Sequence, residues 1–203
     1  MLHYTAMESC EAAKDRLCDP AAEVSAHYLI SEAGEVLALV PEEMRAWHAG
    51  AGAWQGLDDI NSRSIGIELA NSGAQPFSDD QMQALEALLR GIMARWDIGP
   101  DHLIAHSDMA PGRKGDPGAR FDWRRLALGG LSVWPQDAKP GRPCDFITDA
   151  RRFGYPDADD DLVLAAFRLR FRPWAMGPLD GLDAGMIADL ADRFGVDAKP
   201  PLA

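Results

Sequence analysis

SIGIEL, residues 64–69, and SDDQMQALEALLRGIMARW, residues 78–96, together decide the fold class. In the first, Ile65, Ile67 and Leu69 recur at every second position, so a strand turns them to one face and Glu68 to the other. A carboxylate facing away from the apolar side of a strand needs a chemical reason. In the second, Ser78 and Gln81 have the spacing of a capping box, and Met82, Leu85, Leu89, Ile92, Met93 and Trp96 form one helical stripe. Gly99-Pro100 stops that helix.

Outward from this pair, further short apolar runs at His27 to Ile30, Val36 to Val40 and Leu103 to His106 read as strands between Gly, Pro, Asp and Asn. Strands mixed with a long amphipathic helix imply an α/β layer structure. Trp134 to Pro143 holds three prolines and a glycine without apolar period, which places a linker at 134–143. The expected organisation is therefore a catalytic-type domain over 1–133 and a small all-α module over 144–203. Asp160 to Phe171 and Ala184 to Phe194 are its helices, and the acidic run Asp157 to Asp161 is a solvated helix entry.

The 203 residues, 47% hydrophobic and 26% charged, can bury a core without help. A formal charge of -12 argues against nucleic acid or an anionic membrane surface as partner. No stretch is apolar for long enough to span a membrane. Cys10, Cys18 and Cys144 are odd in number and lack CxxC spacing, so neither a disulfide framework nor a thiolate zinc knuckle is indicated. Met1 to Cys10 carries no secretory pattern. The chain as given is expected in the cytoplasm, or in the periplasm or outside if a signal lies upstream. Nothing in the sequence fixes the oligomeric state, and a monomer is the expectation.

Of the histidines His3, His27, His48, His102 and His106, each taken singly is more often a packed or solvated side chain than a ligand. His102 belongs to no motif. His106, however, ends a predicted strand and precedes a Gly- and Pro-rich loop, SDMAPGRKGDPG at 107–118, carrying Lys114 and Asp116. Such a loop can fold a carboxylate back beside an imidazole. Two nitrogens and one carboxylate, with water in the fourth place, form a common catalytic zinc set, whose third protein ligand must come from elsewhere. The plainer reading makes Lys114 and Asp116 surface turn residues.

This loop resembles the zinc loop of the N-acetylmuramoyl-L-alanine amidases of the second amidase family, which includes AmpD-like and AmiD-like enzymes. Further blocks match in order: HYTA at 3–6, VSAHYLI at 24–30, AWHAG at 46–50 and NSRSIGIEL at 61–69. The resemblance spans His3 to about Trp123. It implies a mixed central sheet flanked by helices, as in amidases and peptidoglycan recognition proteins. It further implies one Zn²⁺ per chain on His3, His106 and Asp116, with Glu68 and Lys114 as the catalytic pair. The substrate would be a muropeptide or peptidoglycan fragment, cut between the muramic acid lactyl group and L-alanine. Glu68 would move the proton and Lys114 would meet the developing oxyanion.

Tyr28, Trp47, His48 and Arg113 are the candidate substrate-binding residues. In the family pattern His27 and His48 line or support the site and do not bind metal. Trp47 suits either an aromatic wall or core packing, and Arg113 either a substrate carboxylate or an ion pair within the loop. FGYP at 153–156 and AAFRLRFRP at 165–173 resemble the helical peptidoglycan-binding-type module of AmiD-like enzymes, or else a helical cap.

In the family the first histidine ends a buried central strand, whereas here only Met1 and Leu2 precede His3. A start upstream of Met1 is expected; the alternative is a missing strand and a poorly supported ligand. Two other functions fit the same motifs: a non-catalytic receptor for wall fragments, and a phage-type endolysin. A full ligand set with Glu68 and Lys114 favours catalysis over the first, and the acidic charge disfavours adhesion to anionic wall polymers in the second.

Overall fold

Strands β1 (Leu2–Tyr4), β2 (Tyr28–Ile30), β3 (Val36–Ala38) and β4 (Ile67–Leu69) form a mixed sheet in the order β1-β4-β2-β3, with only the β2–β3 pair antiparallel. The computed structural model describes residues 1–136 and 139–196. The helices are α1 (Cys10–Cys18), α2 (Asp79–Trp96), α3 (His106–Met109), α4 (Trp123–Leu128), α5 (Phe146–Phe153), α6 (Asp160–Phe171) and α7 (Gly181–Phe194). Among the described residues no helix is long and apolar enough to cross a membrane.

The alternation in SIGIEL has its predicted effect. Leu2, Ile30, Ile67 and Leu69 pack against Met82, Leu85, Leu89 and Ile92 of α2. Leu29 and Ala70 turn to the other face with Ala13 of α1, and Glu68 pairs in register with both His3 and Leu29 on that face. Only half of the expected capping box forms. Ser78 Oγ accepts the Gln81 N–H at 3.1 Å, but the buried Gln81 amide donates instead to the carbonyls of Ile30 and Ala70. The predicted stripe also ends early: Trp96 is exposed, and its Nε1 donates to Glu42 at 2.6 Å.

A strand does form around His3. Ile67 N–H donates to the Met1 carbonyl and Leu2 N–H to that of Ile104, so residues 1–4 have neighbours on both sides. Leu103 to His106 departs from expectation, since Ala105 makes a single bridge to Leu2 and His106 opens α3. The reason is local: Asp108 Oδ2 accepts the Ala105 N–H at 2.8 Å, so a side chain takes the place of a strand partner and turns the backbone into a helix.

The expected helices at 160–171 and 184–194 are present, the second lengthened to Gly181 because Asp180 accepts from the N–H groups of Leu182 and Asp183. The linker expected at 134–143 includes residues 137 and 138, outside the described residues. Phe146, Phe153, Phe167, Phe171, Ile187 and Leu190 share one hydrophobic cluster with Met1, Ala49, Trp54, Ile104 and Met109. Through the middle of this contact runs Arg170. Its guanidinium, fully buried, donates to Asp108 Oδ2 at 2.6 Å, to the Leu103 carbonyl at 2.9 Å and to Ser132 at 3.1 Å, and lies 4.4 Å from the Trp123 ring centroid.

Removing one partner of a buried ion pair strands the other charge in a dry interior. Arg170→Met is therefore expected to lower unfolding free energy by about 3–5 kcal/mol in urea titrations. Adding Asp108→Asn should recover part of that loss, because the stranded carboxylate is gone. A single variant within about 0.5 kcal/mol of wild type would contradict this reading of the contact.

Candidate active site

His3 and Glu68 are neighbours across parallel strands, and the third and fourth participants come from the loop after α3. Ser107 N–H donates to the Asp116 carbonyl at 3.0 Å, folding residues 107–116 back so that Asp116 stands beside His106. His3 Nδ1, His106 Nδ1 and Asp116 Oδ2 then form a closed triangle with edges of 2.9, 2.9 and 3.0 Å. All three residues are buried.

Hydrogen bonding alone does not account for this triangle. His106 Nε2 contacts the Ala49 carbonyl at 2.8 Å, and a carbonyl only accepts, so Nε2 carries the proton. The Nδ1 of a neutral His106 then faces the Asp116 oxygen lone pair to lone pair. A cation relieves that conflict. The donors suit zinc: two imidazoles and a carboxylate, at mutual distances near the edge of about 3.3 Å that four ligands at about 2.0–2.1 Å impose on a tetrahedron. Burial alone would raise the Asp116 carboxyl, but its contacts with His106 and His3 prevail and hold it well below the usual carboxylate range.

A supporting layer fixes the imidazoles. With Nδ1 of His3 toward the triangle, its Nε2–H donates to His48 Nδ1 at 3.1 Å, and His48 Nε2–H is directed to Ser64 Oγ at 3.5 Å. Asn61 Oδ1 accepts the N–H groups of both His48 and Ala49, holding the segment that supplies the Ala49 carbonyl. Gly66 admits the His48 ring: a Cβ there would sit 2.4 Å from it. His27 is also part of this layer, accepting the Gly66 N–H at Nδ1 and donating to the Met44 carbonyl. Asn61, Ser64 and Ala49 were not legible as site residues, because two act through the backbone contacts they make and Ala49 through a carbonyl that any residue has.

A cavity of about 380 Å³ opens over the triangle, lined by Glu68, Trp47, His48, Arg113 and Lys114 among others. Trp47 is exposed at its edge and does not pack in the core. Arg113 is committed to backbone, donating to the carbonyls of Ala49, at 2.8 Å, and Ala51; no acidic partner within the loop holds it. Tyr28 is not brought to the site. It pairs with Ile67, on the α2 face of the sheet, and its hydroxyl donates to Glu42 at 2.6 Å. His102 lies apart, exposed beside Asp101.

Glu68 Oε2 is buried without a hydrogen-bond partner among the described residues. Burial pushes its carboxyl up to about 8, Asp116 adds to the rise, and Lys114 opposes it. The folded state thus favours the protonated acid. Its stabilising effect is whole below the ordinary value of about 4.5, and is lost as pH rises through the folded value near 8. Glu68→Gln, neutral throughout, should match wild type at pH 4.5 in chelated protein and exceed it increasingly up to pH 8, by about 1.4 kcal/mol per pH unit at most. Melting curves with a difference independent of pH would refute the assignment of this shift to Glu68.

The family model described as N-acetylmuramoyl-L-alanine amidase, Amidase_2, matches residues 1–119. Escherichia coli N-acetylmuramoyl-L-alanine amidase AmiD is 35% identical over 233 residues, covering 97% of this chain and 83% of that protein. The structure of E. coli AmiD with the substrate anhydro-N-acetylmuramic acid-L-Ala-D-γ-Glu-L-Lys superposes with a TM-score of 0.88 at 34% identity, over 97% of this chain and 89% of that one. AmpDh3 from Pseudomonas aeruginosa, in complex with anhydromuramic pentapeptide, gives 0.86 at 33% identity, over 96% and 91%. Agreement over nearly the whole length, on a sheet that brings together a His, His, Asp triangle and a buried glutamate, establishes that the chain belongs to the N-acetylmuramoyl-L-alanine amidase family.

Proposed function

We propose that this chain hydrolyses the amide between the lactyl group of N-acetylmuramic acid and L-alanine in muropeptides, using one Zn²⁺ held by His3, His106 and Asp116. The observation that carries the reading is the convergence of those three donor atoms beside Glu68, the register partner of His3. Zinc in that position supplies Lewis-acid polarisation of the amide carbonyl and lowers the pKa of water. Glu68 takes the proton of the attacking water at its unpartnered oxygen and returns it to the departing alanine nitrogen. A carboxyl raised by burial to about 8 is suited to returning that proton to the nitrogen, and a cation on the neighbouring triangle would favour the carboxylate form that takes it up. Lys114, exposed at the rim, brings positive charge to the developing oxyanion. Arg113, pinned to the Ala49 and Ala51 carbonyls, presents a fixed cation to a substrate carboxylate.

The same reading assigns the helices after residue 144 to a peptidoglycan-binding-like module. Its support is the extent of the likeness to AmiD and the exposure of Trp174 and Met176 between α6 and α7.

Metal analysis should find close to one zinc per chain in wild type and in Glu68→Ala, and a clear loss in Asp116→Ala. Full occupancy in Asp116→Ala would take that residue out of the ligand set. Mass spectrometry of a muropeptide digest should show free stem peptide released without chelator and none with it. Glu68→Ala should cut that rate by about 10²–10⁴-fold with zinc retained, and an unchanged rate would reject it as the base.

A further inference from the structure

His106 reaches the triangle only if two segments are held: the turn at 105–108 that starts α3, and the segment whose Ala49 carbonyl accepts its Nε2–H. Both are anchored in residues beyond 144. Asp108, whose Oδ2 accepts the Ala105 N–H, takes the Tyr155 hydroxyl at Oδ1, 3.0 Å away. The Tyr155 ring stands edge-on to that of Trp54, with centroids 5.3 Å apart, and the Gln55 N–H donates to the Gly154 carbonyl at 2.9 Å. Ala53 N–H donates to the Met109 carbonyl at 3.0 Å, which ties the two segments to each other. Buried Tyr155 therefore touches both what turns the His106 backbone and the stretch that follows Ala49.

The third donor is held from the same side. Asp116 is returned by a loop that turns at Gly112, where φ is +74°, and Leu162 in the first turn of α6 lies against that turn: a Cβ at residue 112 would sit 2.7 Å from Leu162 Cδ1. Glycine alone suits both the left-handed backbone and the leucine beside it. Leu162 keeps 38% of its surface exposed, whereas its neighbours Val163 and Leu164 are buried, so it contributes less to the core than they do. We propose that Tyr155 and Leu162 are positioning residues for the metal centre, Tyr155 fixing the turn that aims His106 and Leu162 the loop that returns Asp116. This rests on the proposed zinc reading of the triangle, and it gives the C-terminal helices a role independent of wall binding.

The test measures zinc affinity in the full chain by competition with a chromogenic chelator, well below the melting temperature, for wild type, Tyr155→Phe, Leu162→Ala and Ile187→Val. Ile187, buried in α7, whose main packing is against α5, reports a loss of core packing alone. Tyr155→Phe and Leu162→Ala should each weaken zinc binding about tenfold, the lower end of the effect of groups that orient metal ligands. Ile187→Val should melt earlier than wild type yet bind zinc as tightly. Wild-type affinity in both site variants, or an equal loss in Ile187→Val, would overturn the proposal. The His106 ring gives a second readout that needs no metal. In chelated, isotopically labelled protein its Nε2–H, donated to the Ala49 carbonyl, should give a protected imidazole resonance in wild type and Ile187→Val that shifts or is lost in Tyr155→Phe. If wild type bound no zinc and that pattern held, the metal reading would fall and the positioning would stand. A resonance unchanged in Tyr155→Phe would overturn the positioning whether or not zinc binds.

Discussion

A carboxylate taken out of water must find donors for its oxygens, and Asp108, fully buried, finds the Ala105 N–H and Arg170 at one oxygen and the Tyr155 hydroxyl at the other. Each contact holds a different part of the molecule. The Ala105 contact turns the chain from the sheet edge into α3, and the first residue of α3 is His106. The Arg170 contact draws α6 against the segment that leads into that turn, where the Leu103 carbonyl takes a second guanidinium N–H. The C-terminal helices are thereby coupled to the placement of one imidazole of the triangle. Such a pair contributes little net stability compared with apolar packing, but the Asp108 contacts are met together only when the loop takes this one course.

On the other side of the triangle the control is steric. His3 is set by strand register against Glu68, and its ring is held by His48, which has room only because residue 66 lacks a Cβ. The polar groups of this layer satisfy one another down to Ser64, which donates to the Ile60 carbonyl. Glu68 is the exception, with a buried oxygen left without a donor. That deficit is a cost to folding and the origin of its raised proton affinity, a common relation between a reactive group and its scaffold.

Periodicity carried the sequence reading where a side chain's direction follows from its own strand or helix. Glu68 was placed on the face away from α2 by the alternation around it, and α2 by its stripe. It failed where a particular hydrogen-bond partner, near or distant in sequence, decides the outcome. Leu103 to His106 looks like a strand until Asp108 caps it, Gln81 looks like a capping residue until the Ile30 and Ala70 carbonyls claim it, and Tyr28 looks like a site aromatic until its strand face is known. Arg170 within a run of apolar residues gave no hint of its partner, 62 residues earlier in the chain. The triangle itself was reached through a motif resemblance, since the loop alone left Lys114 and Asp116 better explained as turn residues.

The charge of -12 and a site suited to an anionic peptide are compatible because they act over different distances. At physiological ionic strength the field of exposed carboxylates fades within about 8 Å, so net charge governs solubility and encounter more than contact. Inside a cavity with low-dielectric walls, Arg113 is held by carbonyls that leave its charge unneutralised, and Lys114 stands at the rim. Of the carboxyl groups that line the same cavity, Asp116 faces His3 and His106, and Glu68 is pushed toward its neutral form by burial. The carboxyl groups of the cavity therefore offset its cations only in part, which lets an acidic protein present Arg113 and Lys114 to an anionic ligand.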